Sequence, residues 1–189
     1  MKKLSYFMSP PLADADEVSL WPSETYPPIH TQKWGAARLI GLGFRAWMRG
    51  LQCQDCRFFE ICNRHYIERF GLKDGMILAT KLGNWVNSID KMKARAIHIG
   101  EPDAEGFSTD EVMAISMIAA CQHAQCPALK ACLYAITENS ELNSPEYASR
   151  DFAEGLIDVG EILPSDCITF PLTALTPPEG VGPKTNAVI

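Results

Sequence analysis

The placement of proline constrains this chain more than any other feature of its sequence. Of the 13 prolines, ten lie in the first 30 residues or in the last 26. Proline has no backbone N–H and a fixed φ, so neither end can form a regular helix or a central strand. The sequence therefore predicts extended arms over residues 1–30 and 161–189, with a proline-poor body over residues 31–160 between them.

The first half of the body has the apolar spacing of helices. Apolar side chains recur every three to four residues over residues 32–49, 58–70 and 75–92. Gly71 lies between the last two stretches, where it predicts a helix end. Each stretch is long enough for three or more turns, so three helices are expected here.

The second half carries clearer helix-start signals. Ser108-Thr-Asp-Glu111 is a capping box, which predicts a helix over residues 112–122. Pro127 and Pro145 each stand at a favoured first helical position. We therefore predict an all-α domain, a small bundle of about five or six helices. In the last helix the side chains expected to face inward are Tyr147, Phe152, Leu156 and Ile157.

Composition excludes several classes of protein. Hydrophobic residues make up 47% of the chain, which is too many for a disordered protein. No run of about 18 apolar residues is present, so no membrane span is expected. The N-terminus lacks the apolar stretch of a signal peptide, which indicates a cytoplasmic protein whose seven cysteines stay reduced. In an exported chain, three disulfides with Cys167 left over would be the alternative.

Charge is distributed unevenly along the chain. Residues 30–99 carry 12 Lys and Arg against five Asp and Glu, whereas residues 100–189 carry three against 14. The two segments could pack together and neutralise each other. Alternatively, residues 30–99 could form a basic face for an anionic partner such as nucleic acid.

Six of the cysteines form two motifs. The first, C-x2-C-x5-C, contains Cys53, Cys56 and Cys62, and the second, C-x4-C-x5-C, contains Cys121, Cys126 and Cys132. Both motifs begin with Cys-Gln, and their separation of about 70 residues suggests a loose internal duplication. In each motif the middle cysteine stands just before a predicted helix. Free N–H groups at a helix N-terminus favour an anionic thiolate centre, which makes these six cysteines candidate metal ligands.

Two family resemblances concern these motifs. Cys53-Gln-Asp-Cys56 with Cys62 resembles the cluster motif of the fumarate–nitrate reduction regulators. Cys126-Pro-Ala-Leu-Lys-Ala-Cys132-Leu-Tyr-Ala-Ile136 resembles the cluster-binding stretch of WhiB-like proteins. Both resemblances imply a [4Fe-4S] cluster, held by Cys53, Cys56 and Cys62 and, separately, by Cys126 and Cys132. They cover only about 10 to 16 residues each, so they concern the metal centre and not the fold.

The metal and the number of centres stay open at this point. Zinc is the alternative, because a C-x2-C pair is also typical of structural zinc sites. A single centre shared by Cys53, Cys56 and Cys62 with Cys126 or Cys132 needs no unusual ligand, and we expect that arrangement. Two separate centres would each need a fourth ligand, for which the nearby candidates are Asp55, His65 and His123.

Three functions are compatible with these features. The first is a small iron–sulfur protein in redox or oxygen response or in electron transfer, docked on a larger protein partner. The second is a zinc-stapled interaction or assembly module without a redox role. The third is an oxygen-responsive nucleic-acid-binding regulator. The sequence contains no phosphate-binding loop, nucleophile elbow or zinc-protease motif, so an enzyme is not the expected class.

Overall fold

The computed structural model describes residues 32–169, so the predicted arms over 1–30 and beyond residue 169 lie outside the described residues. Within that range the all-α prediction is confirmed, and no strand is present. None of the described helices is long and apolar enough to cross a membrane. The helices are α1 (Gln32–Cys53), α2 (Arg57–Met92), α3 (Thr109–Gln122), α4 (Cys126–Thr137) and α5 (Asn143–Asp158), followed by a short 3-10 helix (Ser165–Cys167).

The predicted helix boundaries have local causes. Ser108 Oγ accepts a hydrogen bond from the Glu111 N–H (3.2 Å), and the Glu111 carboxylate accepts one from the Ser108 N–H (2.7 Å), which completes the predicted capping box. Gly71, with φ of 80°, interrupts α2 where a helix end was predicted. It divides α2 into α2a (residues 57–70) and α2b (residues 72–92). A Cβ on Gly75 would lie 2.5 Å from Ile67 Cα, so α2b packs closely against α2a.

The second half of the body repeats the first with an offset of 70 residues. Helices α3, α4 and α5 correspond to α1, α2a and α2b. Lys81 and Asp151 are counterparts, 70 residues apart, and they form an ion pair with 2.6 Å between Nζ and Oδ1. The buried positions also agree: Gly75, Ala79, Leu82, Gly83, Trp85 and Val86 on α2b correspond to Pro145, Ser149, Phe152, Ala153, Gly155 and Leu156 on α5, which are all buried too.

The contacts between α1 and α3 follow the same relation. Arg45 on α1 forms a salt bridge with Glu111 on α3. Their counterparts, Ile115 and Gly41, are also neighbours, because a Cβ on Gly41 would lie 2.9 Å from Ile115 Cδ1. Contacts exchanged between equivalent positions are characteristic of an approximate two-fold axis. The two halves are therefore related by such an axis, with α1 and α3 antiparallel beside it.

The core lies between these two halves. The Trp85 ring stacks on Phe152, with 5.4 Å between centroids, and contacts Phe44 at 5.5 Å. Phe152 and Leu156 face inward as predicted. The same prediction was wrong for Tyr147 and Ile157, whose side chains are 75% and 42% exposed. Only one stripe of α5 faces the core, and these two residues lie beside that stripe.

The basic and acidic segments pair with each other. Arg45 and Lys81 bind acidic residues of the second half, as described, and Arg95 binds Asp110 with 2.6 Å between Nη2 and Oδ1. Further pairs join Arg49 to Glu101 and Arg69 to Glu161. These contacts support mutual neutralisation of the two segments.

Candidate metal centre

The first cysteine motif forms the turn between α1 and α2. Helix α1 ends at Cys53, and Gln54 then adopts the left-handed conformation with φ of 54°. The Asp55 N–H donates back to the Gly50 carbonyl oxygen (3.1 Å), which is the longer hydrogen bond of a Schellman motif. The chain thereby reverses, and Cys56 becomes the N-cap of α2. The side chains of Cys53 and Cys56 are both exposed.

Asp55, a candidate fourth ligand, is bound within this turn. The Arg57 guanidinium donates to both carboxylate oxygens, with 2.7 Å from Nη2 to Oδ2 and 3.1 Å from Nε to Oδ1. The Arg57 N–H also donates to Oδ1 (3.0 Å). These hydrogen bonds from Arg57 lower the pKa of Asp55. The turn therefore carries one negative and one positive side chain beside its two thiols.

Cys62, the third cysteine of this motif, lies apart from the other two. Its side chain is fully buried in α2a, and burial raises the pKa of its thiol to about 12. Six residues along an α-helix rotate a side chain by about 600°, so Cys56 and Cys62 point in different directions. Within residues 32–169 no group of three His, Cys, Asp or Glu side chains is placed to hold a metal ion. The three-cysteine set that the resemblance implies is therefore not assembled there.

His65, another candidate ligand, also lies away from the turn. Its Nδ1 is 3.8 Å from Glu68 Oε2, and burial lowers the pKa of the imidazole. The ring lines a cavity of about 320 Å³ together with Arg38 and Leu42 of α1. His65 thus contributes to the groove between α1 and α2a and not to the cysteine turn.

The second cysteine motif forms the turn between α3 and α4 in the same way. Ala124 adopts the left-handed conformation with φ of 55°. The Gln125 N–H donates to the Ala120 carbonyl oxygen (2.8 Å), and the Ala124 N–H donates to that of Cys121 (3.2 Å). These are the two hydrogen bonds of a Schellman motif. Cys126 then begins α4, and its side chain is exposed.

The three thiols of the second motif have different surroundings. Cys126 Sγ receives a hydrogen bond from Arg150 Nη2 (3.4 Å), and Arg150 also pairs with Glu146 (2.9 Å). Cys121 is half-buried, and burial raises the pKa of its thiol to about 12. Cys132 is fully buried, and burial raises the pKa of its thiol too. As in the first motif, the last cysteine faces the core.

The two-fold relation assigns counterparts to these residues. The left-handed residues Gln54 and Ala124 lie 70 positions apart, as do Lys81 and Asp151. By the same offset Cys56 corresponds to Cys126, and Cys62 corresponds to Cys132. The duplication suggested by the cysteine spacing is therefore present in the fold.

The counterpart of Cys53 is His123 and not Cys121. Cys53 and His123 both directly precede the left-handed residue of their turns. Aligning the two motifs on their initial Cys-Gln was therefore wrong by two residues. A constant offset of 70 in the sequence would have shown it, because Gln52 and Gln122 then match as well. His123 Nε2 lies 2.8 Å from the Leu163 carbonyl oxygen.

The two turns lie at opposite ends of the bundle. Gly43 and Met113 are counterparts near the crossing of the antiparallel helices α1 and α3. Cys53 and His123 each lie ten residues further along their own helix. At about 1.5 Å per residue, the turns are separated by about 30 Å. The described residues therefore do not form the single centre, shared by both motifs, that we expected from the sequence.

The burial of the thiols predicts their order of alkylation. In the native, metal-free protein we expect iodoacetamide to modify the exposed Cys53, Cys56 and Cys126 first. The buried Cys62 and Cys132 should react only after unfolding. Peptide mass spectrometry after timed quenching measures each site. Modification of Cys62 as rapid as that of Cys56 would show that the first turn opens, or that Cys62 is not held in the core.

Comparison with protein-family models found no match for this chain. Comparisons with curated proteins and with solved structures found no match either.

Proposed function

We propose that Cys53 and Cys56 hold a thiolate-ligated metal centre and that the protein is a small iron–sulfur protein in redox response or electron transfer. The observation that carries this proposal is the exposure of both cysteines of a C-x2-C motif on one helix–helix turn. Cysteine thiolates are the ligands that iron–sulfur clusters and zinc prefer. The predicted group is a [4Fe-4S] cluster, and the predicted setting is a larger protein partner.

The position of Cys56 suits an anionic centre. As the N-cap of α2, it lies at the positive end of a helix dipole. An iron–sulfur cluster with four thiolates carries negative charge, and N–H groups near its sulfurs influence its reduction potential. The residues of this turn would hold the cluster and orient it toward the surface, where an electron donor or acceptor could approach.

Zinc is the second candidate. Tetrahedral structural zinc takes four ligands, commonly as pairs spaced like Cys53 and Cys56. The burial of Cys62 favours this alternative, because a zinc site built from cysteine pairs does not need it. A zinc centre would make the protein an interaction or assembly module. The nucleic-acid alternative is less well supported, since Arg45, Lys81 and Arg95 are engaged by acidic residues of the same chain.

Metal analysis of variants tests the proposal. After anaerobic purification we expect bound metal in the wild type and almost none in Cys53→Ser or Cys56→Ser. Cys62→Ala should retain the metal, because its thiol faces the core, and Cys126→Ser should retain it as the matched change at the other turn. Iron, sulfide and zinc contents, with the absorption spectrum, identify the group. Circular dichroism checks that each variant keeps its helices.

Two outcomes would contradict the proposal. A wild-type chain that stays metal-free after reconstitution with iron and sulfide, and after incubation with zinc, would rule out the centre. Loss of metal in Cys62→Ala, as complete as in Cys56→Ser, would instead support the three-cysteine site that the family resemblance implies.

A further inference from the structure

We infer that the centre is shared by two copies of this chain, each contributing Cys53 and Cys56. This inference rests on the proposed metal centre and names the source of its missing ligands. A tetrathiolate site needs four cysteines, both for zinc and for a cluster ligated only by cysteine. One turn presents two. Two identical turns supply the full set without any other ligand.

The chain's other cysteines do not complete the site. Cys62 follows on α2a but is fully buried in the core. The second motif, with Cys126 at its surface, lies about 30 Å away at the opposite end of the bundle. Among the described residues no third His, Cys, Asp or Glu joins Cys53 and Cys56 in a metal-binding group. The remaining ligands must therefore come from another molecule.

The surface around the turn is suited to contact with its own copy. A two-fold interface brings the same patch together from both chains, so the patch must be self-complementary. Gln52 and Gln54 beside the cysteines are exposed and uncharged. The only charged side chains within the turn, Asp55 and Arg57, carry opposite charges and are paired. Two such turns can face each other without excess like charge, unlike two copies of an acidic or a basic patch.

The backbone of the turn also favours assembly around a metal. The hydrogen bond from Asp55 N–H to the Gly50 carbonyl oxygen holds the chain reversal between Cys53 and Cys56. Both cysteines are thus supplied by one short, hydrogen-bonded turn. Metal binding between two chains then orders few additional residues, which limits its entropic cost.

Titration with zinc tests the shared centre. We expect the reduced, metal-free full-length protein to bind half an equivalent of Zn²⁺ per chain at saturation. Light scattering coupled to size exclusion should show the mass of two chains with zinc and of one chain after a chelator removes it. For an iron–sulfur form, four iron and four sulfide per two chains are expected. Cys56→Ser and Cys53→Ser should lose both the metal and the dimer.

The controls separate this inference from the proposed function. Cys126→Ser changes the exposed cysteine at the two-fold-related turn and should keep both the stoichiometry and the dimer. One zinc per chain in a monomer would overturn the shared centre while the proposed metal site stands. A dimer that persists in Cys56→Ser would show that the metal does not join the chains. Absence of any bound metal would remove the proposed function and this inference together.

Discussion

Replacing Glu111 with alanine is expected to lower the free energy of unfolding by about 3–5 kcal/mol, because it leaves a buried arginine without its counter-charge. The side chains of Arg45 and Glu111 are 2% and 0% exposed. Two hydrogen bonds join them, with 2.7 Å from Nε to Oε1 and 3.0 Å from Nη2 to Oε2. Arg45 also donates to the carbonyl oxygens of Glu101 and Ala104 (3.0 Å each).

Glu111 has a second structural role that adds to this effect. Its carboxylate accepts hydrogen bonds from the backbone N–H groups of Ser108 (2.7 Å) and Gly100 (3.0 Å). It thereby completes the capping box of α3 and holds the segment that leads into it. Alanine would remove these contacts together with the ion pair, so the loss should exceed that of an ordinary cap.

Urea denaturation followed by circular dichroism measures the change, with Glu101→Gln as the control. Glu101 pairs with Arg49 in the same region, but its side chain is 76% exposed. Exposed ion pairs contribute little, so Glu101→Gln should change stability by less than about 1 kcal/mol. Equal losses in Glu101→Gln and Glu111→Ala would contradict the importance of burial for the Arg45 pair.

The sequence predicted the ends of the helices well because the signals there are local. Ser108 and Glu111 are three residues apart, and their capping bonds depend on nothing beyond the first turn of α3. Gly71 likewise interrupts α2 by its own conformation. The Arg45–Glu111 pair was not predicted, since its partners lie 66 residues apart and meet only when α3 packs on α1.

The candidate centre was predicted only in part, for the same reason. Spacing identified Cys53 and Cys56 as neighbours on a turn, and turns are determined by nearby residues. The direction of Cys62 depends on which face of α2a packs against the core, where it is buried beside Tyr66. The placement of Cys126 at the far end depends on the two-fold relation between halves. Neither property can be read from the spacing of the cysteines.

Replacing Trp85 with alanine should cost about 3–5 kcal/mol of unfolding free energy, the range found for large aromatic side chains in protein cores. Trp85 is fully buried on α2b and stacks on Phe152 of α5 (5.4 Å between centroids), so it joins the two halves of the bundle. Within the described residues its buried Nε1–H has no hydrogen-bond acceptor. Trp85→Phe removes that group and keeps a ring, so it should cost much less than Trp85→Ala.

Tyr147→Ala provides the matched control for Trp85→Ala. Tyr147 lies on α5, as Phe152 does, but its side chain is 75% exposed. Its removal should change stability by no more than about 0.5 kcal/mol, as is usual for surface positions. Chemical denaturation with two independent probes measures all three variants. A Tyr147→Ala loss as large as that of Trp85→Ala would mean that α5 turns its other face to the core, and a small Trp85→Ala loss would contradict the packing of α2b against α5.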